Sequence, residues 1–251
     1  MAPNGDRSPT CQLLREDPDL GEAIPPALWG QALGECIAPV ARIARGPWSG
    51  ERPSVSRDAI GLLVLEGLMI RRVGVDGRFG AELLGEGDLL RPWQTEAAPP
   101  ILARTTGWRV LAPTRVAVLD ERVAQRLARY PQLTGQLVGR ALERSRNLAI
   151  NMAIVHQPRV DVRLRMLFWH FASRWGQVTP QGVLLPLRLP HTVLADLTAA
   201  RRPTVTTALT ELARQGLLVA VEDHWLLDGE VPGELLEVDA RLYGRTSIDG
   251  Y

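Results

Sequence analysis

Between Arg201 and Arg214 the chain reads RRPTVTTALTELAR, and two populations of residue share this stretch at helical spacing. Val205, Ala208, Leu209 and Leu212 predict one buried stripe along a helix. The opposite side holds Arg202, Thr204, Thr206, Thr207, Thr210 and Arg214, with Glu211 the one acid among them. Guanidinium and hydroxyl groups gathered on one face can hydrogen-bond phosphate oxygens and base edges. Arginine pairs bidentately with guanine, and threonine methyls touch the thymine methyl. The chain shows no nucleophile elbow, phosphate-binding glycine loop, H-E-x-x-H pair or Cys-x-x-Cys. Its four histidines, 156, 170, 191 and 224, are scattered singly. These observations predict a protein that is not an enzyme and that has no catalytic residues, metal site or cofactor. Haem with distant His or Cys axial ligands is the one cofactor reading the residues leave open.

The elements needed to hold such a face are legible around it. Thr192 is placed to cap a short helix in which Leu194 and Leu197 face inward, and Ala195 is small enough for a second helix to cross close by. A turn through Ala199, Ala200 and Arg201 follows. Pro203 then falls in the first helical turn, where its missing N–H costs nothing, and Gly216 ends the helix. Beyond it, LLVAV and HWLL flank Glu222-Asp223 and predict a two-stranded wing. A helix-turn-helix with a wing inserts its second helix into the major groove of duplex DNA.

Charge supports an anionic partner for this region. The formal net charge of the 251 residues is only +1, but the charges are segregated, and every basic residue is arginine. From Arg159 to Leu218 eight arginines face three acids, whereas from Glu222 to Tyr251 eight acids face two arginines. Upstream, residues 35–120 show short apolar runs separated by turn signals, among them Asp76-Gly77 and Gly85-Glu86-Gly87-Asp88. That texture predicts a β-sandwich or barrel with a tight hairpin at Asp76-Gly77. A helix is expected from Pro131 to His156, with Val138, Ala141, Ser145, Leu148, Met152 and Val155 as a narrow seam for a second helix. Another follows from Val160 to Trp175, its apolar face made by Val160, Leu164, Leu167, Phe168 and Phe171. Residues 1–27 are expected to be a mobile lead and residues 231–251 an acidic tail. No uncharged apolar run reaches the length of about 20 residues that a membrane-spanning helix needs. Together with two cysteines and no signal-peptide pattern, this predicts a cytoplasmic protein without disulfides.

The run LADLTAARRPTVTTALTELARQGLL resembles the winged helix-turn-helix of Crp/Fnr-type bacterial transcription regulators. The resemblance extends over residues 35–228 and is carried upstream by VLEG, LLGEGDLL and the Asp76-Gly77 hairpin. It implies an α+β chain: a cyclic-nucleotide-binding-like β-roll over 28–125, a long dimerisation helix over 126–157 and a DNA-binding domain over 158–230. It also implies a homodimer on double-stranded DNA with an inverted-repeat operator, and raises RNA polymerase and an unidentified small-molecule effector as further partners. The family's base-reading positions fall on Arg202, Pro203 and Thr207, with Thr206 adjacent; its phosphate-gripping positions fall on Arg201, Thr204 and His191. Pro203 and Thr207 stand where many members have glutamate and arginine, so a different operator is implied. The family's glycine before the turn is Ala199 here, a departure the helical geometry is expected to absorb.

In members that bind cyclic AMP, a Gly-Glu pair holds the ribose and an Arg-Ser or Arg-Thr pair holds the phosphate. Those positions fall on Arg91-Pro92 and on Arg104-Thr105, and the hydroxyl positions of the long helix fall on or near Leu148 and Ala149. One element of three survives, which implies a regulator that does not answer to cyclic AMP. Arg91, Arg104 and Thr105 remain as candidates for an anion site with another ligand. The rival reading is a regulatory or interaction protein whose winged helix contacts protein.

Overall fold

The computed structural model describes residues 9–50, 59–93, 104–228 and 231. The chain divides into two compact units, Met1–Ile150 and Asn151–Tyr251.

The first unit opens with β1 (Thr10–Gln12), α1 (Leu13–Glu16), a 3-10 turn over Pro18–Gly21 and α2 (Pro26–Glu35). The strands β2 (Ile37–Ile43), β3 (Gly46–Trp48), β4 (Gly61–Val75), β5 (Arg78–Gly85), β6 (Leu89–Leu90) and β7 (Arg104–Leu119) follow, then α3 (Glu121–Leu127). The antiparallel sheet runs β1-β2-β7-β4-β5, with β3 on β7 and β6 on β4. The first half of β4 is buried on both faces, and its alternation of side chains divides two cores. Leu63 and Leu65 join Ala117 and Leu119 against the helices, whereas Leu62 and Val64 join Val116 and Val118 on the other face. Asp76 and Gly77 both have positive φ, 49° and 70°, and close the expected two-residue hairpin between β4 and β5. At Gly67 the β4–β7 ladder shifts register; its φ is 104° and a Cβ would lie 2.5 Å from the Thr114 hydroxyl, so only glycine fits the bulge.

Two expectations for this unit are corrected. Residues 9–27 are not a loose lead: Leu13, Leu14 and Leu20 are fully buried in the helical core, which the Pro- and Gly-rich composition around them conceals. Residues 1–8 and most of the 231–251 tail lie outside the described residues. The long helix does not start at 126 either. Asp120 caps α3 by accepting a 2.8 Å bond from the Val123 N–H, and the long helix α4 begins only at Pro131 and ends at Val155. Within the first unit, Arg140 of α4 binds Asp17 through both guanidinium nitrogens, and Arg144 binds Glu82 of β5 at 2.6 and 2.9 Å while donating to the Leu89 carbonyl at 3.1 Å.

The second unit contains α5 (Val160–Trp175), β8 (Gln177–Thr179), β9 (Gly182–Leu185), α6 (His191–Leu197), α7 (Arg202–Arg214), β10 (Leu218–Val221) and β11 (His224–Leu227). The wing is larger than the expected hairpin, because β9 and β8 extend it to a four-stranded sheet ordered β10-β11-β9-β8. The inward face of α5 supplies Leu164, Leu167, Phe168 and Phe171, and the Phe168 ring meets Trp225 of the wing at 4.8 Å.

Candidate nucleic-acid interface

The helix α7 is built from poor helix formers on its outer face, since four of its thirteen residues are threonine. Its stability comes from the inner face: Val205, Leu209 and Leu212 are buried, and Pro203 supplies a preset φ in the first turn. Leu194 and Leu197 of α6 are buried beneath it, and Ala195 is nearly so. Pro190, not Thr192, precedes α6, and no side chain caps that helix. The expected cap at Thr192 is therefore absent.

The turn between the helices, Thr198–Arg201, is held from inside. Thr198 is fully buried and its hydroxyl donates to the Leu194 carbonyl at 2.7 Å. Arg163 of α5 donates to the Thr198 carbonyl at 2.9 Å. Ala199 has φ 48°, in the left-handed region, so the alanine sits in a conformation that favours glycine and is not absorbed by helical geometry. Thr198 and Arg163 were missed in the sequence: a buried threonine and an arginine thirty-five residues upstream carry no local signal that they meet.

The outer face assembles the expected residues. His191, Arg201, Arg202, Pro203, Thr204, Thr206 and Thr207 all belong to α6, the turn or the first part of α7, and all but His191 are exposed side chains. His191 is partly exposed and its Nδ1 lies 2.9 Å from the Thr206 hydroxyl, joining α6 to α7. The threonine hydroxyls turn to their own helix: Thr206 donates to the Arg202 carbonyl at 3.1 Å, Thr207 to Pro203 at 3.2 Å and Thr210 to Thr206 at 3.0 Å. Among the described residues neither Arg201 nor Arg202 has an ion-pair partner, so both charges remain available. Several other arginines of the basic block are engaged. Arg159 pairs with Asp161, Arg188 with Asp223 and Arg214 with Glu211, while Arg174 lies over the Trp175 ring. Hydrogen bonds from Arg214 and then Gln215 pull the Glu211 carboxyl down to about 2, so this acid stays ionised but is neutralised locally.

Among the described residues, the candidates for an anion site are not brought together. Arg91 follows β6, whose Leu90 pairs with Leu62, and its side chain lies against Gly61 at one end of β4. Thr105 pairs with Gly74 at the other end of the same strand. The side chain of Arg104 lies outside the described residues. Between α4 and the sheet stands Glu82, which pairs with Arg144 of the helix and, at 3.0 Å, with Arg71 of β4, a cluster that no sequence motif announces. Glu82 is only 5% exposed, and its place in the apolar run GAELLG was the available signal. Both cysteines are buried; burial raises the Cys11 thiol and pushes Cys36 up to about 11, which leaves neither reactive.

Residues 162–228 match the model of the Crp-like helix-turn-helix domain. No curated protein matches the sequence. Among solved structures, the chain is similar to a cyclic nucleotide-binding domain containing protein from Listeria monocytogenes EGD-e, at 12% identity and a TM-score of 0.58, over 74% of this chain and 88% of that one. A CooA mutant from Carboxydothermus hydrogenoformans aligns at 18% identity and a TM-score of 0.56, over 82% and 89%. FixK2 from Bradyrhizobium japonicum aligns at 14% identity and a TM-score of 0.54, over 76% and 93%. At these identities the likeness is one of fold, and the domain match adds the helix-turn-helix. Residues 162–228 therefore carry a Crp-like helix-turn-helix domain, and the chain as a whole shares the fold of these solved structures.

Proposed function

We propose that this protein is a sequence-specific DNA-binding transcription regulator that acts as a homodimer on an inverted-repeat operator and does not answer to cyclic AMP. The observation that carries this reading is the outer face of α7, where Arg201, Arg202, Thr204, Thr206 and Thr207 stand exposed on a helix seated by a buried stripe. Arg202, at the start of α7, reads a base edge, and Arg201 and Thr204 grip phosphate. The protein-binding alternative has no comparable observation behind it.

The dimer rests on α4. Val138 and Leu142 are 54% and 60% exposed, which water disfavours, and Ser145 and Ala149 continue the same stripe. Gly135 and Gly139 lie beside them with open space at the Cβ position, so the helix of a second copy can approach closely. The loss of cyclic AMP response rests on Pro92, which has no N–H for a ribose hydroxyl, and on Leu148 and Ala149, which cannot hydrogen-bond an adenine. Glu82 and Arg144 also satisfy each other.

Fluorescence anisotropy of a labelled random-sequence duplex, measured from about 50 to 300 mM salt, tests the reading. Log affinity is expected to fall linearly with log salt, because arginine contacts to phosphate release counterions. Absence of binding at the lowest salt would reject DNA as the partner.

A further inference from the structure

The intrahelical bonds of α7 constrain which bases its threonines can read, and this step rests on the DNA-binding reading above. A threonine hydroxyl has one hydrogen. In Thr206, Thr207 and Thr210 that hydrogen is directed at the carbonyl four residues back. Thr206 is engaged twice, since its oxygen is then the acceptor for His191, whose Nδ1 carries the proton. What these side chains have left for a base edge is a methyl group and, on each hydroxyl oxygen, acceptor capacity. Neither is a donor. Pro203, one helical turn before Thr206 and Thr207, adds a further apolar surface without an N–H.

The four base pairs present different major-groove edges. Guanine offers only the acceptors N7 and O6, which a face of methyls and acceptors leaves unsatisfied. Adenine N6–H₂ and cytosine N4–H₂ are donors in either kind of pair, but only an A·T pair also offers a methyl group, the thymine C5-methyl, to meet this face. We propose that Thr206 and Thr207 recognise thymine through its C5-methyl group and so set an A·T preference in the half-site, beside the guanine taken by Arg202. His191 acts as a positioning residue by holding the Thr206 side chain in this rotamer.

The test uses the full chain and a duplex that it selects from a random pool. Replacing thymine by uracil in the half-site removes one methyl and nothing else. It is expected to weaken binding about threefold to fivefold at the one or two positions that face Thr206 and Thr207, the scale of one buried methyl group. 5-Methylcytosine at a disfavoured G·C pair is expected to recover part of the loss. On the protein side, Thr207→Val keeps the methyl and is expected to keep the parent's preference for thymine over uracil. Thr207→Ser removes the methyl and is expected to lose as much as the uracil duplex does, with no further loss when the two are combined. Uracil and thymine duplexes of equal affinity, or a Thr207→Val variant that loses the thymine preference while Thr207→Ser keeps it, would overturn methyl reading and leave DNA binding standing. A chain that selects no duplex at all would overturn the DNA-binding reading itself, and this proposal with it.

Discussion

Arg201 and Arg202 are adjacent, equally exposed and unpaired among the described residues, yet they stand on either side of the start of α7. That position separates their expected roles. Arg202→Ala is expected to cost about 1 to 3 kcal/mol and to relax preference at one base pair, because a bidentate bond to guanine is lost. Arg201→Ala is expected to weaken all sequences alike and to reduce the salt slope by about 1. Competition of each variant between operator and random duplex reads both effects. The neighbouring turn offers a stability test. Ala199 at φ 48° carries a left-handed penalty that glycine avoids, so Ala199→Gly is expected to stabilise the protein by about 1 kcal/mol, read as a raised midpoint of denaturation, with DNA affinity unchanged. The exposed face of α7 was legible in the sequence, because arginine and threonine on the polar side of an amphipathic stripe follow from helical spacing. Their hydrogen bonds were not. A hydroxyl folded back on its own helix, and a histidine fifteen residues away that reaches Thr206, depend on rotamers and on the angle between two helices.

Elements were legible where their pattern repeats and hidden where it does not. The 25-residue α4, the Asp76-Gly77 hairpin and the α6–α7 pair follow from periodicity and turn chemistry. The strand β8 is three residues long with Val178 91% exposed, so no alternation of buried and exposed side chains announces it in the sequence. The buried α1 failed for the opposite reason, as two leucines inside a Pro- and Gly-rich stretch are too few to show a period. Long-range polar pairs are the least legible of all. Glu82 and Arg144 are 62 residues apart, yet they tie α4 to the sheet of the first unit by two charge-assisted bonds. Arg71 also pairs with Glu82, at 3.0 Å, so removing Arg144 takes two charge-assisted bonds from the buried carboxylate but leaves it one counter-ion, and Arg144→Met is expected to destabilise the chain by about 2 kcal/mol. Chemical denaturation of the parent and variant checks this; a change under 1 kcal/mol would show that the pair does not fasten the helix.

At the scale of the whole molecule, the proposed regulator has a β-sheet unit, a long helix with an exposed apolar face and a Crp-like helix-turn-helix domain in one chain. Cyclic AMP is expected not to switch it. Calorimetric titration with cyclic AMP and cyclic GMP is expected to give no low-micromolar binding. A tenfold gain in operator affinity on adding cyclic AMP, about 1.4 kcal/mol of coupling, would contradict that expectation. The most direct measurement is the sequencing of duplexes that the full chain retains from a random pool, with the mass of the protein–DNA complex determined alongside. Two symmetry-related reading helices entering successive major grooves require an inverted repeat whose half-site centres lie about 10 base pairs, or about 34 Å, apart, bound by two copies of the chain. Enrichment of that repeat with a two-to-one complex is the predicted result. Retention of no preferred sequence, or of a single half-site by one copy, would contradict the account.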